Sequence, residues 1–306
     1  MILNKASLSA FFQGLHVDWS LGAKSVVPEW SDYAMLRKST TTKEIYRWFQ
    51  RFPIMRLWIG EKMIKALAAY KYELENKPYE ATIEVDRDDI EDDIYGDYAD
   101  ASKAAGISAM EWPDILVADV IKAAFTALCF DGQFFFDTDH PQIDSTGTTV
   151  TYSNKITAVL SATTAASASA SIGAAITKME TFADTEGQPL NLAAGTLVVG
   201  SALRETAFKL ANQDELDDQS KNPNKGMFKV KVNKRLGWTT QWMLMADHSY
   251  FKPFVFQERK KAHFVQMIGT ETEEVFKRAK YLYGNEGRGA AGYTFPQLAV
   301  GSTGAG

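Results

Sequence analysis

The chain has 306 residues, of which 45% are hydrophobic and 23% charged, and its net charge is -5. That length suffices for one large or two ordinary domains, the composition is globular rather than disordered, and the charge gives no overall pull towards nucleic acid. The single cysteine, Cys129, excludes an intrachain disulfide framework and fits a reducing compartment. No apolar run approaches the roughly 20 residues of a membrane span, and the opening MILNKASLSAFFQG lacks the order of a secretory signal.

Residues 1–38 are mixed. Leu8, Phe11, Phe12 and Leu15 have helical spacing, interrupted by Gly14, Gly22 and Pro28, with Trp19 and Trp30 as aromatic anchors. The segment reads as an arm, packed either on a neighbouring subunit or on its own core. In 39–86, RLWIGEKMIKALAAY is ambiguous between helix and strand. After it, Tyr70, Tyr72 and Leu74 alternate with charged residues, and beyond Asn76-Lys77-Pro78 so do Tyr79, Ala81, Ile83 and Val85. Two runs of period two around a turn predict a hairpin with one apolar face. Such a face, too large for a lone hairpin to leave bare, marks an interaction surface with a neighbouring subunit as the simplest cover, or else covers the subunit's own core.

From Arg87 to Phe130 apolar residues recur at Ile90, Ile94, Tyr98, Ala101 and Ala105, then at Trp112, Leu116, Val120 and Phe125. This spacing predicts one helix about 60 Å long, with acidic residues at its positive end and a kink or break near Trp112 caused by Pro113. The Ser-, Thr- and Ala-rich stretch 145–175 marks a domain boundary. Beyond it, Ile172, Ile176, Met179 and Phe182 predict a helix, Thr196–Gly200 a buried strand, and Leu203, Ala207 and Leu210 a second helix with Ser201 as N-cap. Phe228, Val230 and Val232 alternate with lysines as a strand with one wet face. Trp242–Met245, Phe254–Met267 and Lys277–Tyr283 read as further strands or strand–helix mixtures. Helices and strands are segregated, which favours an α+β class.

Catalytic patterns are absent: there is no HExxH, GxSxG, Walker loop or GxGxxG, and Gly284–Gly289 lacks the strand, helix and lysine of a phosphate loop. Asp137, Asp139 and His140 are ligand-type residues in DTDHP, and a metal-dependent hydrolase is the enzymatic reading they allow; a structural turn before Pro141 is the other. The nine acidic residues between Glu84 and Asp100 read as a solvated helix start. The cations Lys221, Lys225, Lys229, Lys231, Lys234 and Arg235 read as the wet side of a strand rather than a nucleic-acid site.

Several pieces, taken in order, resemble the major head subunit of Mu-like transposing phages, within the wider tailed-phage shell-protein fold. They are Trp48 with Phe52-Pro53, Trp58 with Gly60, Arg87-Asp88-Asp89 with Glu91-Asp92-Asp93, Asp131-Gly132 with Phe135-Phe136 and His140-Pro141, Thr196–Val199, Pro253 with Gln257 and Arg259, and Tyr283-Gly284 with Arg288–Gly292. The resemblance implies an N-terminal arm (1–38), an extended loop reaching a neighbour (39–86), a P-domain with a long spine helix (87–149), an A-domain (150–245) and a C-terminal return to the P-domain (246–306). It implies a non-enzymatic virion protein without cofactor or metal, assembled in the bacterial host cytoplasm into hexamers and pentamers of an icosahedral head. Its partners would be scaffold, portal and decoration proteins, with double-stranded DNA enclosed non-specifically and no membrane. Trp58, Tyr70, Tyr72, Leu74, Tyr79, Ile83 and Val85 become the candidate contacts between subunits. A nanocompartment shell of the same fold, holding enzymes rather than DNA, is the related alternative.

Overall fold

The computed structural model describes residues 5–46, 72–92, 94–143, 148–184, 187–269 and 272–306. Near the N-terminus the three- and four-residue spacing of Leu8, Phe11, Phe12, Leu15 and Trp19 is realised as one helix, α1 (Lys5–Ser25), with all five side chains buried. The expected interruption at Gly14 and Gly22 does not occur, because these glycines serve packing. A Cβ on Gly22 would lie 2.0 Å from the carbonyl oxygen of Lys103, and one on Gly106 would lie 2.1 Å from that of Trp19. The two helix backbones therefore touch, and the Ser102 hydroxyl donates to the Leu15 carbonyl (2.7 Å) across the seam. Of the two readings of this segment, packing on its own core is the one realised here.

A short helix α2 (Trp30–Tyr33) leads into β1 (Ala34–Lys38), followed by β2 (Lys43–Tyr46), β3 (Tyr72–Glu75) and β4 (Lys77–Asp86). The expected hairpin is not formed: β3 pairs with β2, while β4 pairs with a C-terminal strand. One intervening residue, Asn76, is too short for the two-residue turn a hairpin needs, so the chain passes from one sheet to another.

The expected long helix is divided. Helix α3 (Arg87–Glu91) is followed by a turn, and α4 begins at Gly96 and ends at Ala123. The Tyr98 hydroxyl donates to the Asp89 carboxylate (2.5 Å) and accepts from the Asp86 N–H (3.3 Å), pinning α3 beside the first turn of α4. Helix α4 spans 28 residues, about 42 Å, and continues through Pro113. Burial of Ala105 and Ala109 before the proline, and of Val117 and Ile121 after it, outweighs the roughly 3 kcal/mol that a proline costs inside a helix.

The remaining elements are β5 (His140–Ile143), β6 (Thr149–Tyr152), β7 (Lys155–Ile156), α5 (Ala165–Ala168), a π-helical turn (Ser169–Gly173), α6 (Ala174–Glu180), β8 (Ala194–Val199), α7 (Arg204–Asn212), β9 (Lys229–Val232), β10 (Trp242–Ala246), β11 (Phe254–Met267), α8 (Glu273–Arg278), β12 (Lys280–Tyr293) and β13 (Ala299–Ser302). Ser201 opens a 3-10 turn ahead of α7 and makes no capping hydrogen bond. The first sheet has the order β1-β11-β12-β4 and the second β7-β13-β10-β8-β9.

Alternation along the second sheet decides what covers each face. Leu197, Val199, Trp242 and Leu244 share a core with Ile172, Ile176, Ala207 and Leu210 of the helical layer. Val198, Met243, Met245 and Ala299 point the other way, onto Val117 and Ile121 of α4. Helix α4 thus bridges both sheets, and its first half packs on α1. The last strand corrects the expectation that 246–306 returns wholly to the first layer: β13 lies inside the second sheet, antiparallel to β10.

Candidate functional site

The DGQFFFDTDHPQ segment folds around a buried polar chain. Cys129 and Asp131 follow the end of α4, His140 opens β5, and Asn154 sits between β6 and β7. The Asp131 carboxylate accepts from the Cys129 thiol (2.8 Å), the Gln133 N–H (3.1 Å) and His140 Nδ1 (2.6 Å). The other ring nitrogen, Nε2, lies 3.2 Å from Asn154 Oδ1. The orientation of that amide is fixed: its Nδ2 donates to the Phe135 and Pro296 carbonyls, and its Oδ1 accepts from the Asp137 N–H. Both ring nitrogens therefore face oxygen atoms, Nδ1 the Asp131 carboxylate and Nε2 the Asn154 amide, and the His140 and Asp131 side chains are buried, with exposures of 0% and 3%. Burial pushes the Asp131 carboxyl up, but the hydrogen bonds from His140 and Cys129 outweigh it and hold the group below the ordinary carboxylate range. Burial and the neighbouring Asp131 push the Cys129 thiol up, which leaves it a poor nucleophile.

Cys129, Asp131 and His140 place potential ligand atoms within 4.8 Å of one another. Nitrogen and oxygen ligands on one tetrahedral zinc would stand about 3.4 Å apart, given bonds near 2.1 Å. The 2.6 Å separation of His140 and Asp131 is that of a hydrogen bond. Asp137 and Asp139 do not join His140 as a ligand set. The Asp137 carboxylate accepts from the Phe134 and Thr138 N–H groups, and Asp139 is exposed beside Gln133. The hydrolase reading loses its constellation, and the partners it missed are Cys129, Asp131 and Asn154.

A second buried network holds the β2–β3 pair to β11. Asn76 Nδ2 donates to Ser39 Oγ (2.7 Å) and to the Thr41 carbonyl (2.9 Å). Gln257 Nε2 donates to Asn76 Oδ1 (2.7 Å) and to the Leu74 carbonyl (3.1 Å), while Gln257 Oε1 accepts from the Tyr46 hydroxyl (2.7 Å). Around this base stand the expected contact residues. Trp58 and Tyr70 lie outside the described residues. Tyr72 and Leu74 pack on the second-sheet core, Tyr79 lies tilted against Trp112 with ring centroids 5.2 Å apart, and Ile83 packs on the α1 core. Val85 has no exposed surface, so the inward side of this segment is covered by the chain's own helices.

The charged runs are partly self-neutralised. Lys225 pairs with Asp214, Lys231 with Asp32 and Arg235 with Glu111, while Glu84 pairs with Lys280 and Arg87 with Glu91. The glycine-rich run lies within β12, where a Cβ on Gly287 or Gly289 would stand 3.1 or 3.2 Å from the Trp112 ring. No described helix is long and apolar enough to cross a membrane.

A family described as the Mu-like prophage major head subunit gpT matches residues 8–168, 158–236 and 229–305. The major capsid protein of Escherichia phage Mu is 28% identical over 303 residues, covering 98% of this chain and 74% of its own length. A chain of the bacteriophage JBD30 procapsid superposes with a TM-score of 0.62 and 29% identity, over 98% of this chain and 76% of its own. A chain of the JBD30 capsid decorated with minor capsid protein trimers gives 0.52 and 20% identity, over 92% and 66%.

Proposed function

Since the chain belongs to the Mu-like prophage major head subunit family, and is accordingly a structural major capsid protein of an icosahedral phage head rather than an enzyme, we propose that it closes that head as hexamers and pentamers of itself around double-stranded DNA. The match in sequence order from residue 8 to residue 305 is the observation that carries this reading. Residues 87–149 are assigned to its P-domain together with most of 246–306, residues 1–38 to an N-terminal arm, residues 150–245 to the A-domain, and 39–86 to the extended loop. The bridging of α4 between both sheets supports the role of spine. Trp58 and Tyr70 are assigned to the neighbouring copy. Tyr72, Leu74, Tyr79, Ile83 and Val85 are assigned to a rigid base that carries them, held by the Asn76–Gln257 network.

The enclosed DNA meets a wall with little free positive charge. The ion pairs of Lys225, Lys231 and Arg235, and the net charge of -5, support contact that is weak and indifferent to sequence. Scaffold, portal and trimeric minor capsid proteins are the partners assigned to the assembling shell. Electron microscopy and sedimentation of the chain produced with its phage's accessory proteins test the reading. Closed particles of many copies are expected, and a monomer or small dimer as the sole species in infected cells would overturn it.

A further inference from the structure

Phe276 is 88% exposed, the most exposed large apolar side chain among the described residues. It projects from α8, the short helix at the tip of the β11–β12 pair, with Glu273 one turn before it on the same helix face. Near the other end of β11 lies an apolar cavity of about 430 Å³, lined by Trp30, Leu36, Met110, Trp112, Pro113 and Phe256. Leu36, 44% exposed on edge strand β1, forms part of its mouth, and exposed Lys261 part of its rim. The indole N–H of Trp112 is closed off from water here and has no hydrogen-bond acceptor, a state that buried donors seldom keep.

We propose, on the strength of the shell-building role above, that Phe276 of one copy seats in the Trp112 cavity of a second copy. Self-insertion is ruled out by distance. Phe256 at the cavity and Met267 before the tip are eleven strand steps apart, about 36 Å at the usual rise, and α8 lies beyond. Knob and hole at opposite ends of one element make a head-to-tail contact, the kind that propagates from copy to copy instead of stopping at a dimer. The chemistry is complementary: the ring fills an apolar cavity, and Glu273, which pairs with Lys277 within its own copy, comes opposite Lys261.

The full chain is assembled with its phage's accessory proteins, and shell yield is measured by sedimentation beside thermal melting of the free subunit. Phe276→Ser should leave the melting temperature unchanged, since the side chain is exposed, and lower shell yield at least about tenfold. Lys261→Glu should lower it as well, with recovery on adding Glu273→Lys. Wild-type yield from Phe276→Ser, while the unmodified chain forms shells, would overturn the seating alone. So would a defect in Phe276→Ser with none in Lys261→Glu, because the ring would then meet another surface. Failure of the unmodified chain to form shells overturns the shell-building role itself.

Discussion

The two buried polar networks differ in how their members are spread along the chain. Cys129, Asp131, His140 and Asn154 fall within one stretch of sequence and centre on a buried carboxylate. Ser39, Tyr46, Asn76 and Gln257 come from three distant stretches, and their bonds join amides and hydroxyls. The first ties the end of α4 to the second sheet, and the second ties the β2–β3 pair to the first sheet. A polar cluster local in sequence leaves a motif that can be read, even when its chemistry is misassigned. A cluster gathered from afar leaves isolated polar residues that look like surface.

The largest effect is expected from breaking the charged network. Asp131→Asn replaces the buried carboxylate that accepts from His140, Cys129 and Gln133 by an amide with a single acceptor oxygen, at a cost of about 3 kcal/mol. Denaturant unfolding of the free subunit checks this, and a loss under about 1 kcal/mol would mean that the hydrogen bonds to this carboxylate contribute little to the fold.

Asn76→Ala is the corresponding cut in the neutral network. It removes the donor to Ser39 Oγ and the Thr41 carbonyl and leaves one Gln257 amide hydrogen without its acceptor, costing about 1–3 kcal/mol by the same measurement.

Acid separates the two. Asp131 titrates below its unfolded value, so its contribution is complete above the ordinary carboxylate pKa of about 3.9 and disappears as pH falls through the folded value. The stability gap between wild type and Asp131→Asn should therefore narrow below about pH 4. The gap for Asn76→Ala should stay nearly constant, since Asn76 and Gln257 do not titrate. Parallel gaps for both variants across the acid range would contradict the distinction.

Cys129→Ser should have the smallest effect, under about 1 kcal/mol, because a hydroxyl can donate to Asp131 in place of the thiol. Loss of the fold on this change would give the sulfur a role beyond that bond.

The α+β class, the apolar stripe of α4 and the strands at 196–199, 242–246 and 254–267 were legible because each buries a regular face. The alternation at 72–86 was also legible, but alternation reports which side a residue faces and not which strand it pairs with. Asn76, whose buried amide directs β3 and β4 to different sheets, carries no periodic signal. Gly14 and Gly22 read as helix breakers because the sequence cannot show that a second backbone occupies the space beside them. In the candidate site, His140 was visible as a chemical residue. Its partner Asp131 was hidden by the nearer Asp137 and Asp139, and Asn154 lay across the boundary of the next segment. The tip bearing Phe276 was invisible as a surface, since exposure of a single apolar residue has no sequence signature.

Strand β13 is made late and placed early in the sheet order, between β7 and β10 rather than at an edge. During translation, residues 155–246 emerge with the β10 and β7 edges still bare, and Asn154 without the Pro296 carbonyl it will bind. Bare strand edges are where nascent chains pair with the wrong neighbour. The second sheet is finished only once 299–302 have left the ribosome, so each copy reaches its closed form after synthesis has passed that strand.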